Sequence, residues 1–451
     1  MAARPPDDAG DAYREVTEPR DVRSAFLQEA MWHGTLAAAE ALLAAHPELA
    51  TSDIHTAAVL GDDALVRRFL EADPSSVHAK SPPYGGDALN YLGLSKYLRL
   101  DPARSEAFLR AARALLDAGA DPNTGFWTTG KFPEYESALY GAAGVAHHAA
   151  LTRLLIERGA DPNDADAVYH SPEGDDLGAM QVLVETGKVT PENLSLMLVR
   201  KHDWHDYEGV KYLLEHGADP NLKRPRGWHP LHHALARDNG PAIIELLLDH
   251  HADPAIRDEG TSAIELAARR GRGDILAMFA RRGVALELQG VDRLIAASAM
   301  DDGAKVRDLA RREPQLVTEL LRQGGTLLAE FTGTWNTAGV RHLLDLGVPV
   351  DSRYTGDGYF DIAPGSTALH VAAWKLRADL VQLLLERGAP VNARDGKERT
   401  PLMLAVKGCV DSYWSERRTA EPVRLLLQAG ASRQGVPYPS GYDAVDDLLR
   451  P

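Results

Sequence analysis

Five residues, Gly-Ala-Asp-Pro-Asn, occur three times in this chain, at 119–123, 159–163 and 217–221. Looser copies follow at 251–255, 347–351, 388–392 and 430–432. Each copy closes a stretch whose apolar residues recur three and four apart, as in Leu151, Leu154 and Leu155 or Leu380, Leu383 and Leu384. That spacing predicts a helix with one buried face. The Gly then stands just past the helix end, where a left-handed backbone is needed and only Gly adopts it freely. Pro fixes one backbone angle and Asp and Asn bond to nearby amides, so the pentapeptide reads as a helix stop followed by a turn.

A second signature follows each turn: Trp228-His-Pro-Leu-His-His-Ala, Ser366-Thr-Ala-Leu-His-Val-Ala and Thr400-Pro-Leu-Met-Leu-Ala. Ser or Thr caps a helix start, and Pro is tolerated in the first turn because its missing amide would be unpaired there. The unit is therefore turn, short helix, turn, longer helix, stop. Equivalent positions lie 34 residues apart from Gly217 to His251, 41 from Gly347 to Gly388 and 42 from Gly388 to Gly430. Two motifs in this order resemble the ankyrin repeat, with its period of about 33 residues and its T-P-L-H-x-A marker. The resemblance implies an all-α solenoid of stacked helix-turn-helix units joined by short turns or hairpins. It covers nearly the whole chain in about twelve repeats, several degenerate. On this reading 1–20 is a polar, disordered tail, 21–432 one continuous array, and 433–451 a capping segment. The Glu-Pro-Gln-Leu at 313–316 is read as a turn like those at 46–49 and 73–76.

Composition narrows the partners. Asp and Glu number 65 against 49 Lys and Arg, a formal charge of -16, and such a surface repels phosphate backbones. Nucleic acid is not expected. The pairs Arg269-Arg270, Arg281-Arg282 and Arg311-Arg312 read as solvated helix faces. The single cysteine, Cys409, cannot form an intrachain disulfide, which fits a reducing compartment. The first residues lack an apolar signal-like core and no apolar run is long enough to cross a membrane. The expected location is cytoplasmic and the expected state a monomer. Frequent Ala, Arg, Gly and Asp points to a bacterial source.

The repeat letters are scaffold, so function is sought where they are interrupted. Longer segments fall at 80–86, 125–135, 353–365 and 407–418, and long loops on a rigid frame are the usual carriers of binding. Aromatic residues gather in or near them and at helix ends: Tyr84, Trp127, Trp204, Trp228, Trp335, Tyr354, Tyr359, Phe360 and Trp414. Such residues are typical contact anchors, or else pin their own loops. Trp32 and Trp374, inside repeats, read as structural. In the ankyrin family the turns and the first helix of each pair line a groove, and the residue after the motif His points toward it. Those positions hold Glu29, Thr56, Tyr91, His170, His233 and Glu330, with His229 nearby, whereas His232 and His370 occupy the motif His and read as scaffold.

The His-rich runs at 202–205, 229–233 and 250–251 match no zinc-ligand spacing, and no nucleophile or phosphate-loop motif is present, so neither metal nor cofactor is expected. The leading expectation is a non-catalytic scaffold that binds a protein partner of unknown identity through the groove and the aromatic loops. The alternative is a small-molecule or peptide pocket on the same groove, with Glu330, His170 and His233 as acid/base candidates.

Overall fold

The computed structural model describes residues 21–129, 131, 133–223, 227–412 and 418–450. The tail at 1–20 and Trp414 lie outside the described residues. The chain divides into two compact units, Met1–Pro230 and Leu231–Pro451. Both are built from helix pairs. Among the described residues, strand is confined to two ribbons, Gly125–Trp127 with Tyr135–Ser137 and Arg257–Asp258 with Thr261–Ser262.

In the first unit the short helices Ile54–Val59, Ala88–Gly93, Ala138–Tyr140 and Ala165–His170 stack in one layer, followed by Pro191–Asp203. The longer Asp63–Ala72, Ser105–Asp117, Ala149–Glu157 and Gly178–Glu185 stack behind them. Each short helix is started by a side chain that accepts a backbone amide hydrogen bond. Asp53, Asp87, Ser137 and Asp164 do so in turn, and Thr190 caps Pro191–Asp203. These caps matter because six-residue helices do not persist alone.

The glycine of the pentapeptide behaves as its position predicts: φ is +100° at Gly119, +101° at Gly159 and +93° at Gly217. His251 takes the same left-handed backbone at +66° in the looser copy. The Asn does more than turn the chain. Asn123 donates from Nδ2 to the Gly159 carbonyl and accepts from the Asp161 amide, at 3.1 and 2.8 Å. Asn392 does the same to Gly430 and Ser432. One amide side chain thus joins the repeat to the next at these turns. The motif His is a second rivet, since Nε2 of His55, His232 and His370 donates to the carbonyls of Ala79, Thr261 and Arg399.

The second unit departs from the expected plan at 313–322. The first two such turns are single 3-10 segments, Pro47–Thr51 and Pro74–His78, but Pro314–Arg322 is a full α-helix. Pro at its first turn and Leu316 and Leu320 buried four residues apart favour that outcome. The added helix displaces the stacking. Helix Thr337–Asp345 packs on Asp292–Ala299, and helix Gly324–Gly333 reaches past it to Ala263–Arg269. The skipped contact is held by Thr334 Oγ1 donating to the Arg270 carbonyl and by Asn336 Nδ2 donating to the Gly271 and Ala299 carbonyls, each at 2.7 Å. Phe331 fills the seam, and Gly271 and Gly339 leave the room: a Cβ on either would stand 2.6 Å from its ring.

Candidate functional site

Two clusters, one in each unit, collect part of the groove and loop residues expected from sequence. In the first unit, helix Ala165–His170 ends in Tyr169 and His170. Gly144 of the preceding repeat admits the His170 side chain, because a Cβ there would lie 2.7 Å from His170 Cβ. His170 Nδ1 is 2.9 Å from Glu173 Oε1. Arg200 donates to Glu173 at 2.5 Å and to Asp203 at 2.6 Å, and its guanidinium lies 4.2 Å over the Tyr169 ring. Burial would raise the Glu173 carboxyl, but His170 and Arg200 hold it below the usual range.

The frame beneath is rigid. Lys201 is fully buried and donates to the Gly174 carbonyl at 2.9 Å and to Asp206 at 2.6 Å. Trp204 closes the same helix and is 45% exposed, and Tyr169 is 39% exposed. Toward the ribbon, the same layer presents Asp166, with Glu134 and Asp164 in electrostatic range. Burial, then the like charges of Asp164 and Glu134, push the Asp166 carboxyl up to about 6. The half-buried rings of Trp127 and Tyr135 pack on each other at 5.2 Å, and the Tyr135 hydroxyl donates to the Asn123 carbonyl.

Tyr84 and Tyr91 of this unit belong to packing. Tyr84 stacks on Phe126 at 5.1 Å and meets Trp32 edge-on at 5.8 Å. Tyr91 is not a groove contact: it is fully buried, and its hydroxyl donates to the Ser81 carbonyl and accepts from the Tyr84 amide. Trp228 is 44% exposed, and His229 Nδ1 lies 3.0 Å from the Asn221 carbonyl oxygen.

The second unit closes its inner layer with its own loop. Tyr354, Phe360 and Ile362 of the 353–365 insertion are buried against Ala329, Val371, Trp374 and Leu404, with Tyr359 at the margin. Trp374 Nε1 donates to the Phe360 carbonyl at 2.7 Å. Beneath the loop lies an ion network that the skipped stacking brings together. Arg270 donates to Asp238 at 2.7 Å and meets Glu330 at 3.1 Å. Lys375 donates to the other Asp238 oxygen at 2.8 Å, and the Tyr354 hydroxyl donates to Glu330 at 2.7 Å. Burial would raise the Asp238 carboxyl, yet Arg270 and Lys375 hold it well below the ordinary range. Burial and then Glu330 push the Tyr354 hydroxyl upward. The rings join in, with Lys375 3.9 Å from the Phe360 centroid and Arg237 3.8 Å from that of Tyr359. Two cations and two carboxylates satisfy one another here, so the network is chemically a clamp. Glu330 is committed to Arg270 and Tyr354, which opposes a role as a free base.

Family models of ankyrin repeats match residues 196–289 and 343–405. The human 2-5A-dependent ribonuclease is 39% identical over 77 residues, which is 17% of this chain and 10% of that protein. Human Rabankyrin-5 is 41% identical over 68 residues, 15% of this chain and 6% of that protein, and the mouse protein matches to the same extent. The chain thus spans about a tenth or less of the length of these relatives. The matched segments, 196–289 and 343–405, are ankyrin repeats. Ankyrin repeats are in general protein–protein interaction modules, and no helix among the described residues is long and apolar enough to cross a membrane.

Within the ankyrin frame, the position after the motif His does not uniformly face outward. Thr56, Tyr91 and His233 are buried, whereas His170 and Glu330 are partly open. Trp335 is 44% exposed in a left-handed backbone, φ +68°, with the Arg377 guanidinium 4.8 Å from its ring. Arg270, read from sequence as a solvated helix face, is buried because the skipped repeat places two carboxylates against it. Sequence reading passed over Asp166, Tyr169, Arg200, Asp238 and Lys375. One signal was available: Arg270 and Lys375 each immediately precede the left-handed residue that ends a first ankyrin helix, Gly271 and Leu376.

Proposed function

We propose that this ankyrin chain binds a protein partner through the first-helix and ribbon surface of its first unit, from Trp127 and Asp166 to Tyr169 and Trp204. One observation carries the reading: Trp204 and Tyr169 stay open to solvent on a frame braced from below by buried Lys201. Exposed aromatics on a rigid frame lose little entropy on binding and are common anchors. The corresponding layer of the second unit is filled by the 353–365 loop, which supports a structural part for Tyr354 and Phe360.

A photo-crosslinking residue placed at 204 or at 166 tests this in native lysate, with 153 on a second-layer helix as the control. A discrete crosslinked protein at 204 and 166 but not at 153 is the expected result. Equal products at all three positions, or none at 204, would sink the assignment.

A further inference from the structure

We infer that His148 is an acid-sensitive cap: it starts helix Ala149–Glu157 only while its imidazole is neutral. The Leu151 amide donates to His148 Nδ1 at 3.1 Å. A backbone N–H can only donate, so Nδ1 carries a lone pair and the ring proton sits on Nε2. Nε2 then donates to Ser105 Oγ at 2.6 Å, at the start of helix Ser105–Asp117 in the preceding repeat. One imidazole in one tautomer thus fixes the starts of two second-layer helices. The same tautomer rules out a nucleophile and its base, because no ring lone pair faces Ser105.

Four other repeats show what the position normally holds. Asp62, Asp206, Asp302 and Asn336 each follow a left-handed residue, as His148 follows His147 at φ +48°, and each accepts a backbone amide of the second helix. A carboxylate or amide oxygen goes on accepting through the range in which an imidazole ordinarily takes up its proton. Protonated His148 would instead turn a second N–H toward the Leu151 amide and set a positive charge at the positive end of the helix. The bond to Ser105 survives, so the loss falls on the cap. Helix Ala149–Glu157 packs on the helical segment Gly141–Val145, which also carries helix Ala165–His170, so a loosened cap reaches the first layer.

The surroundings favour the neutral ring. Burial pulls the His148 pKa down, and it outweighs the exposed Glu106 carboxylate on helix Ser105–Asp117, the charged group in electrostatic range. Segment Gly141–Val145 carries no titratable side chain. His147 alongside has charged neighbours of its own, Glu173, Asp176 and Lys201, with His170. The folded chain therefore takes up this proton less readily than the unfolded one. The cap is complete above pH ~6.5 and is lost as pH falls through the folded value.

Hydrogen exchange of the whole chain, corrected for intrinsic rates, tests this at pH 7.5 and 4.5. The comparison is wild type against His148→Asn, whose amide caps a helix without titrating. On acidification, protection of 149–157 should fall about ten-fold more in wild type than in the variant. Helix Asp63–Ala72, capped by Asp62, should change alike in both. Ser105→Ala removes the Nε2 acceptor but leaves the cap, so it should keep the wild-type acid response. An equal fall in wild type and His148→Asn would place the acid response elsewhere, at His147 or His170 for example, and overturn the inference. Nitrogen NMR of the histidine-labelled chain gives a second readout. The His148 ring, identified by its loss in His148→Asn or its shift in Ser105→Ala, should be the Nε2–H tautomer at pH 7.5. An Nδ1–H ring there would equally refute the cap.

Discussion

Asn163 reaches the next repeat with three hydrogen bonds from one amide: Nδ2 donates to the Lys188 carbonyl, and Oδ1 accepts from the Thr190 amide and from Asn193 Nδ2. Replacing it by Ala leaves those partners to water or to nothing, so Asn163→Ala should cost about 1–3 kcal/mol in urea unfolding. The neighbouring Gly159 needs only its backbone. Its Cβ would meet no more than a Pro122 carbon at 4.0 Å, so Gly159→Ala should cost about 1–2 kcal/mol, for the left-handed φ alone. Gly271→Ala should cost more, since Phe331 must also move. His370 carries a pH signature. Its imidazole is buried with Nδ1 accepting from the Thr367 amide, and burial pulls its pKa down to about 4. The unfolded chain therefore takes up a proton that the folded one refuses between pH ~6.5 and ~4. Stability from this site is complete above pH ~6.5 and is lost as pH falls through the folded value, on the order of 3 kcal/mol in all. Denaturant melts at pH 7.5 and 4.5 check it: His370→Gln should flatten the difference.

At the scale of elements, inserted loops have separate fates. The ribbon Gly125–Trp127 with Tyr135–Ser137 keeps Trp127 and Tyr135 half-buried, while the 353–365 loop becomes core. Both are Tyr-containing interruptions in sequence, and nothing in their letters separates them. The difference arises because Trp374, on helix Ala368–Trp374, offers an indole N–H to the Phe360 carbonyl and a surface for its ring. Phe360→Ala should cost about 3–5 kcal/mol and open 353–365 to limited proteolysis. Intact resistance of the variant would show that the loop does not depend on this anchor. Helix Pro314–Arg322 stands where a turn is expected for a related reason: its Leu316 and Leu320 spacing fits a helix as well as it fits an interrupted repeat.

At the scale of the molecule, stacked repeats draw stability from their neighbours, so damage is expected to stay local. Asp238→Asn leaves Arg270 and Lys375 facing a neutral group, a loss of about 3–5 kcal/mol for a buried pair broken on one side. Hydrogen exchange should show faster opening in Leu231–Pro451 with little change across the helices before Pro230. Uniform acceleration over both units would contradict the local picture. The sequence by itself determined the repeat, its helix periods, its caps and its left-handed glycines, because each depends on residues within one turn of one another. It also marked His232 and His370 as scaffold, since the motif fixes their place. Tertiary structure alone decided that Asp238 meets Lys375 across 137 residues and that Arg270 is buried. Those outcomes depend on how far each repeat steps from the last, and a single added helix changes that step without changing any motif.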